Sequence, residues 1–265
     1  MKNLFDLTGK VVAITGGAGN LGTAMTAALL DYGANVAAVG RDDRLGDDFL
    51  PWREKGKLAF IARDLAAPDG ARQALADVVE RFGGLDALVN NAAYGGGTGG
   101  KNCEFRLEKI DDDTWNRGID GTLGVAFRCT RAAIPLLEER GGGAIVNIGS
   151  MYGLVAPDFT IYGDDIPWNP PNYGAGKAGL IQFTRYCAAA LAPKKIRVNA
   201  LTPGPFPNVT PQTDRSFIER LSGKTMMRRT GRAEEIAGAL ILLCSDASSF
   251  MTGSNIVVDG GMTSW

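Results

Sequence analysis

The chain has 265 residues, 45% of them hydrophobic, enough to bury a large core, and this excludes a disordered chain. Its 28 basic and 29 acidic side chains leave a net charge of -1, which excludes the field that draws proteins to DNA, RNA or an anionic membrane. With no histidine, the Ser-His-Asp and Cys-His triads, the HExxH zinc site and every imidazole base are excluded too, so chemistry falls to Tyr, Lys, Ser, Cys or carboxylates.

Apolar, β-branched runs at 10–15, 35–39, 58–62, 85–90, 144–148, 196–200 and 256–258 predict seven strands. Helix-length patterns at 20–36, 68–82, 111–139, 173–192, 212–222 and 233–244 fall between them. The strands are almost continuously apolar, as expected when helices cover both faces of a parallel sheet. Strand and helix in alternation predict an α/β fold: one Rossmann-type doubly wound parallel sheet of about seven strands, with helices on both faces. No linker or repeat interrupts it, so a single domain over 1–265 is expected, with substrate loops near 94–103, 156–172 and 203–225. The longest apolar block, 236–244, falls far short of the ~20 residues that span a bilayer, and the N-terminus carries no apolar leader. Cys103, Cys129, Cys187 and Cys244 form no CxxC pair, so no metal site is expected and the thiols read as buried in a reducing compartment. A soluble cytoplasmic protein follows.

The first strand runs into TGGAGNLG, with glycines at 16, 17, 19 and 22, and then a helix. A helix N-terminus offers unpaired N–H groups and a positive dipole end, and glycines let a diphosphate approach them. A plain turn with its glycines used for packing has the same pattern. After the second strand stands Gly40-Arg41, where a cofactor with free ribose hydroxyls usually meets a carboxylate. Arg41 suits a 2′-phosphate instead, which favours NADP(H); Asp42 and Asp43, either of which would reach a ribose, keep NAD(H) open.

Tyr173 and Lys177 lie four apart at the start of a helix and share a face. An ammonium beside a phenol stabilises phenolate and draws its pKa of ~10 toward the working range, so Tyr173 suits proton exchange with a carbinol or carbonyl oxygen. An exposed polar pair has the same spacing. Ser150 ends a predicted strand, where its hydroxyl is placed either to bind a substrate oxygen or to satisfy a loop amide.

Taken together, TGGAGNLG, Asp64-Leu65, NNAA at 90–93, NIGS at 147–150, YGAGK at 173–177, VNALTPG at 198–204 and VDGG at 258–261 resemble the short-chain dehydrogenase/reductase family over essentially the whole chain. The resemblance implies that Tyr173 is the catalytic acid/base, that Lys177 lowers its pKa and holds the nicotinamide ribose, and that Ser150 orients the substrate oxygen. It implies a cofactor site at Gly16, Gly19, Asn20, Leu21 and Gly22, with Asp64 and Leu65 at the adenine and Asn91 and Ala92 beside the adenosine ribose. Pro203, Gly204 and Phe206 would hold the carboxamide. It also implies a homotetramer, in which the closing GMTSW tail suits a subunit contact.

The sequence departs from the family at three places. Asn20 replaces a glycine of the TGxxxGxG pattern, and its Cβ must be accommodated. Thr122 stands where the family has a catalytic Asn, so a relay behind Lys177 must use a hydroxyl or be rebuilt. Ser150 and Tyr173 are separated by a longer segment than usual, expected to shape the substrate pocket. That segment carries Tyr162, Asp164, Asp165, Trp168 and Asn169, which suit a sugar or polyol; solvated acids and self-packed aromatics are the bland alternative. Its length and the PGPFPN segment resemble bacterial family members acting on sugars or sugar acids. Arg215, Arg220 and Lys224 read as surface charges. The expected function is an NADP(H)-linked interconversion of a secondary alcohol and a ketone on a small hydroxylated substrate. The alternative is a cofactor-binding scaffold without turnover. Nucleotide-sugar epimerisation would need a larger substrate domain than the residues after Thr210 provide.

Overall fold

The computed structural model describes residues 3–94, 107–162, 168–210 and 213–265; Cys103, Asp164 and Asp165 lie outside them. In chain order the elements are β1 (Val11–Thr15), α1 (Asn20–Asp31), β2 (Asn35–Gly40), α2 (Leu50–Glu54), β3 (Leu58–Ala62), α3 (Gly70–Phe82) and β4 (Ala87–Asn90). Then come α4 (Asp112–Ile119), α5 (Val125–Glu139), β5 (Gly143–Ile148), α6 (Pro171–Leu191), β6 (Ile196–Pro203), α7 (Arg215–Gly223), α8 (Ala237–Cys244) and β7 (Asn255–Val258). The strands form one seven-stranded sheet in the order β3-β2-β1-β4-β5-β6-β7, and every pair is parallel. The strand order reverses between β1 and β4, so the loops leaving these two strands diverge and open a crevice at the C-terminal sheet edge.

The unbroken apolar strands feed two cores. Val12 and Ile14 of β1 and Val36 and Ala38 of β2 pack beneath Met25, Leu29 and Leu240, on the side of α1 and α8. Their neighbours Val11, Ala13, Ala37 and Val39 point to the other face, against Leu75, Val78, Cys129 and Leu137 of α3 and α5. Side chains alternate between faces in a strand, so a sheet covered on both sides makes every position apolar. Among the described residues no helix is long and apolar enough to cross a membrane.

Several expected boundaries move. The helix expected over 20–36 stops at Asp31 because Gly33 takes φ +95° and turns the chain into β2. The long helix expected over 111–139 is interrupted by a π-helical turn at Asp120–Gly124, which separates α4 from α5. β6 runs three residues further than expected, to Pro203, because β7 pairs with its end from Ala200 to Pro203. The short α2 was not expected.

A polar chain crosses the second core. Asn90 Nδ2 donates to Thr130 Oγ1 (3.0 Å) and to Asn147 Oδ1 (2.8 Å), and Asn147 Nδ2 donates to Thr184 Oγ1 (2.9 Å). These bonds tie the C-terminal halves of β4 and β5 to α5 and α6, the elements that carry the site. Asn147 is fully buried, so Asn147→Ala is expected to lose about 3 kcal/mol of unfolding free energy in urea titration; a loss below about 1 kcal/mol would show the chain to be unimportant for stability.

Candidate active site

The first loop at the crevice is the glycine turn. Gly16 has φ +66°, and a Cβ there would meet Asn91 Nδ2 at 2.9 Å; a Cβ on Gly22 would stand 2.0 Å from the Gly16 carbonyl oxygen. The helix therefore packs directly on the turn, and larger residues are excluded. Gly19 caps α1 without a side-chain bond, and the first turn contains no acid, so the Asn20, Leu21 and Gly22 amides open the helix unpaired within it. Asn20, whose Cβ had to be accommodated, is the first helical residue, with its Nδ2 turned toward Phe206 O (3.5 Å) and away from the turn. Thr15, not singled out from the sequence, fixes the neighbouring loop: its Oγ1 accepts the N–H groups of Asn91 and Ala92, each at 3.0 Å. Asn91 Nδ2 returns bonds to the carbonyls of Thr15 and Gly16, both at 3.0 Å.

Beside this turn lies a cavity of about 420 Å³. Gly16 and Gly19 reach it from the first loop, Arg41 from the second, Asp64 and Leu65 from the third, and Asn91 and Ala92 from the fourth. Four loops far apart in sequence thus converge on one hollow at the sheet edge. A glycine-walled cavity next to an uncapped helix N-terminus fits the adenosine diphosphate half of a dinucleotide. The two acids that kept the ribose question open are engaged: Asp42 pairs with Arg44 (3.2 Å), and Asp43 with Arg53 through two contacts of 2.8 and 2.9 Å. The Arg53 bond holds the Asp43 carboxyl below the usual carboxylate range. Arg63, a second guanidinium on the cavity wall, is steered by Asp77 (2.7 Å) and was not anticipated.

Tyr94 also lines the cavity and belongs to a further cluster. Its hydroxyl bonds Asp120, while Arg128 reaches Asp120 Oδ1 (2.6 Å), the Tyr94 hydroxyl (2.9 Å) and Leu65 O (3.4 Å). Burial, with Asp120 as acceptor, pushes Tyr94 up to about 12. The cluster joins the third and fourth loops to the π-turn, a connection between residues up to 63 apart that local pattern does not reveal.

At the other end of the crevice, β5 presents Ser150 and α6 presents Tyr173 and Lys177 one turn apart. Tyr173 is half-buried, and the Ser150 hydroxyl is close enough to act on its phenol. Lys177 is 3% exposed; its Nζ donates to Ile148 O at 2.6 Å and lies 5.8 Å from the centre of the Tyr173 ring. Desolvation dominates both pKa values. Burial raises Tyr173 above its ordinary value, with Ser150 opposing, and lowers Lys177 to about 8. The spacing predicts an ammonium that draws the phenol down; in this structure the larger influence on Tyr173 is burial, which favours the protonated acid.

Thr122 sits in the π-turn, buried, with Oγ1 donating to Gly118 O (2.8 Å) and approaching Ile119 O (3.3 Å). A Cβ on Gly176 would meet that oxygen at 1.8 Å, so Thr122 packs against α6 beside Lys177. Pro203, Gly204 and Phe206 do not line the 420 Å³ cavity. Gly204 N–H bonds Val258 O (2.9 Å), and Phe206 packs across Gly231. The Asn20–Phe206 bond links this loop to the start of α1.

In the segment between Ser150 and Tyr173 the described aromatics follow the self-packed alternative. Tyr162 does not present an aromatic face to the crevice: it is 2% exposed, with its ring 5.9 Å from that of Phe217. Trp168 stacks on Phe159 at 4.4 Å, and Asn169 is buried, so these aromatics pack on one another or on α7. Arg220 Nε donates to Ile161 O (2.7 Å), and Lys224 pairs with Asp158, so two charges read as surface groups pin the segment; Arg215 remains exposed. Cys129, Cys187 and Cys244 are free and buried.

Residues 16–263 match the family model described as enoyl-(acyl carrier protein) reductase. The chain is 35% identical over 265 residues to trans-4-hydroxycyclohexanecarboxylate dehydrogenase of Sinomonas cyclohexanicum, covering 96% of this chain and 93% of that one. It superposes on a short-chain dehydrogenase from Leptospira borgpetersenii solved with bound NAD+, with a TM-score of 0.83, 28% identity, and 99% and 96% of the two chains covered. A gluconate 5-dehydrogenase from Burkholderia cenocepacia, in complex with NADP and tartrate, also gives a TM-score of 0.83 at 28% identity, over 99% and 98% of the chains. With these relatives matching end to end, and a parallel sheet whose loops converge on a glycine-walled cavity at its C-terminal edge, the chain belongs to the short-chain dehydrogenase/reductase family and is a nicotinamide-dependent oxidoreductase.

Proposed function

We propose that the protein interconverts a secondary alcohol and a ketone on a small hydroxylated substrate with NADP(H), and that Ser150, Tyr173 and Lys177 carry the proton side of the reaction. The observation that carries this reading is the half-buried Tyr173 beside Ser150, backed by a buried ammonium that sits on the Ile148 carbonyl and 5.8 Å from the phenol ring. The nicotinamide, when bound, supplies or accepts the hydride. Ser150 orients the substrate oxygen, and Tyr173 Oη exchanges one proton with it. Lys177 keeps a positive charge close to that oxygen, favouring the phenolate left after donation. Arg41 has no ion-pair partner among the described residues while both neighbouring acids are engaged, which supports a 2′-phosphate as its ligand; Arg63 adds a second cation to that wall.

Two further parts of the reading draw on the family: a cytoplasmic location and a homotetramer. Phe127, Tyr186, Phe250 and Trp265 are exposed and provide apolar surface for contacts between copies. A second reading, a cofactor-binding chain without turnover, draws on Thr122, whose hydroxyl is committed to helix carbonyls and so offers no obvious relay. A panel of ketoses, alditols and aldonates followed by nicotinamide absorbance separates the two, since a scaffold binds cofactor without consuming it.

Tyr173→Phe is expected to lower kcat by at least about 100-fold with cofactor Kd nearly unchanged; an active variant would remove the assigned proton path. Arg41→Ala is expected to lower kcat/KM for NADP(H) by about 10- to 100-fold and to leave NAD(H) kinetics nearly unchanged, and a wild-type preference for NAD(H) would contradict the role of Arg41. Folding lowers the Lys177 pKa from 10.5 to about 8, so between these values the unfolded chain binds more protons and stability rises with pH. Denaturation of wild type and Lys177→Met should therefore differ by a constant amount below pH 8. Above it, wild type gains about 3 kcal/mol on the variant by pH 10.5. A flat difference across that range would mean that the ammonium is not desolvated.

A further inference from the structure

Two phenols beside this cluster have no part in the proton path described above. Tyr152 lies two residues past Ser150, in the short turn Met151–Gly153, and its backbone N–H donates to Ser150 Oγ at 3.2 Å. Its carbonyl oxygen is 2.9 Å from where a Cβ on Gly174 would stand, so its main chain packs against the first turn of α6, next to Tyr173 in sequence. The Tyr152 side chain is half-buried, and its hydroxyl lies 2.9 Å from that of Tyr162. Tyr173 lies within electrostatic reach of it.

The orientation of this pair follows from burial. Tyr162 is almost fully buried among Ile161, Leu221 and Phe217. A buried hydroxyl must place its proton on an acceptor, and among the described residues the only one in reach is the Tyr152 oxygen. Tyr162 therefore donates and Tyr152 accepts, which leaves the Tyr152 proton without an acceptor among the described residues. That proton belongs to a half-exposed phenol at the rim of the Ser150–Tyr173 site.

We infer that Tyr152 donates this hydrogen bond to a second oxygen of the substrate, so that the site selects a polyhydric alcohol or hydroxyketone over a simple alcohol, with Tyr162 as the positioning residue. The inference rests on the alcohol–ketone reading above and narrows its substrate class. A neutral oxygen fits better than a carboxylate, because the two cations that hold this segment are already engaged: Arg220 holds Ile161 O and Asp214, and Lys224 holds Asp158, while Arg215 stands exposed at the start of α7. A site that donates to a substrate oxygen discriminates strongly against an analogue lacking it, because the donor is then left unpaired.

The test compares initial rates of the purified protein with cyclohexanol and with the 1,2-, 1,3- and 1,4-cyclohexanediols at saturating cofactor. For wild type, kcat/KM for the best diol is expected to exceed that for cyclohexanol by about 10-fold or more. Tyr152→Phe keeps the ring and should remove about 10-fold of that advantage, mainly through KM, while cyclohexanol and cofactor kinetics stay unchanged. Tyr162→Phe leaves the Tyr152 oxygen without its donor and should remove a smaller part. Equal losses on diol and simple alcohol in Tyr152→Phe, no loss on either, or a wild type that turns over none of the four alcohols or prefers no diol, would overturn the inference. Failure of the underlying reading shows separately, as undiminished turnover in Tyr173→Phe.

Discussion

The ammonium of Lys177 is a charge placed inside the protein with one carbonyl as its recorded partner, and much of the site is arranged to tolerate it. Desolvation works against the charged form strongly enough to bring its pKa to about 8. What keeps the group cationic near neutrality is the Ile148 carbonyl at 2.6 Å, supplied by the last residue of β5. That carbonyl is positioned by strand pairing and by the Asn90–Asn147–Thr184 chain, which ties β5 to the helix carrying the lysine. Sheet, polar chain and catalytic helix therefore act as one support. A shift of β5 relative to α6 would separate the ammonium from its acceptor and from the phenol together.

The cofactor end obeys a different constraint. There the fold keeps side chains away from the backbone amides of α1 and arranges the charge on the opposite wall. Asp43 would repel a phosphate, yet Arg53 neutralises it from ten residues away, and Asp42 is matched by Arg44. The Tyr94–Asp120–Arg128 cluster then braces the wall against the π-turn, so the two halves of the crevice share a common support.

The seven strands were legible in the sequence because a parallel sheet covered on both faces makes each strand an apolar run, and the match is within three residues at every end. The convergence of Gly16, Arg41, Asp64 and Asn91 was legible because each follows a strand, and parallel strands bring their C-terminal ends to one edge. Interactions that depend on distant partners were not legible. Nothing around Asp43 announces Arg53 as its mate, and nothing in 111–139 marks five residues for a π-turn, whose extra residue is accommodated by packing against α6. Tyrosine was ambiguous for a related reason: its ring is apolar and its hydroxyl polar, so Tyr162 read as a ligand-facing aromatic while the fold uses the ring as core and only the hydroxyl as a polar group. The burial that raises the pKa of Tyr173 was not legible either, because proximity of a cation is visible as spacing, whereas burial is not.

The contact between Thr122 and Gly176 reaches beyond stability. The threonine oxygen occupies the place where any side chain at 176 would begin, and its proton is already bound to the preceding turn of its own helix. The two positions are therefore one compound character. An asparagine at 122 would drive a longer amide into the backbone of α6, and enlarging 176 would evict the threonine. A change at either position therefore calls for a matching change at the other.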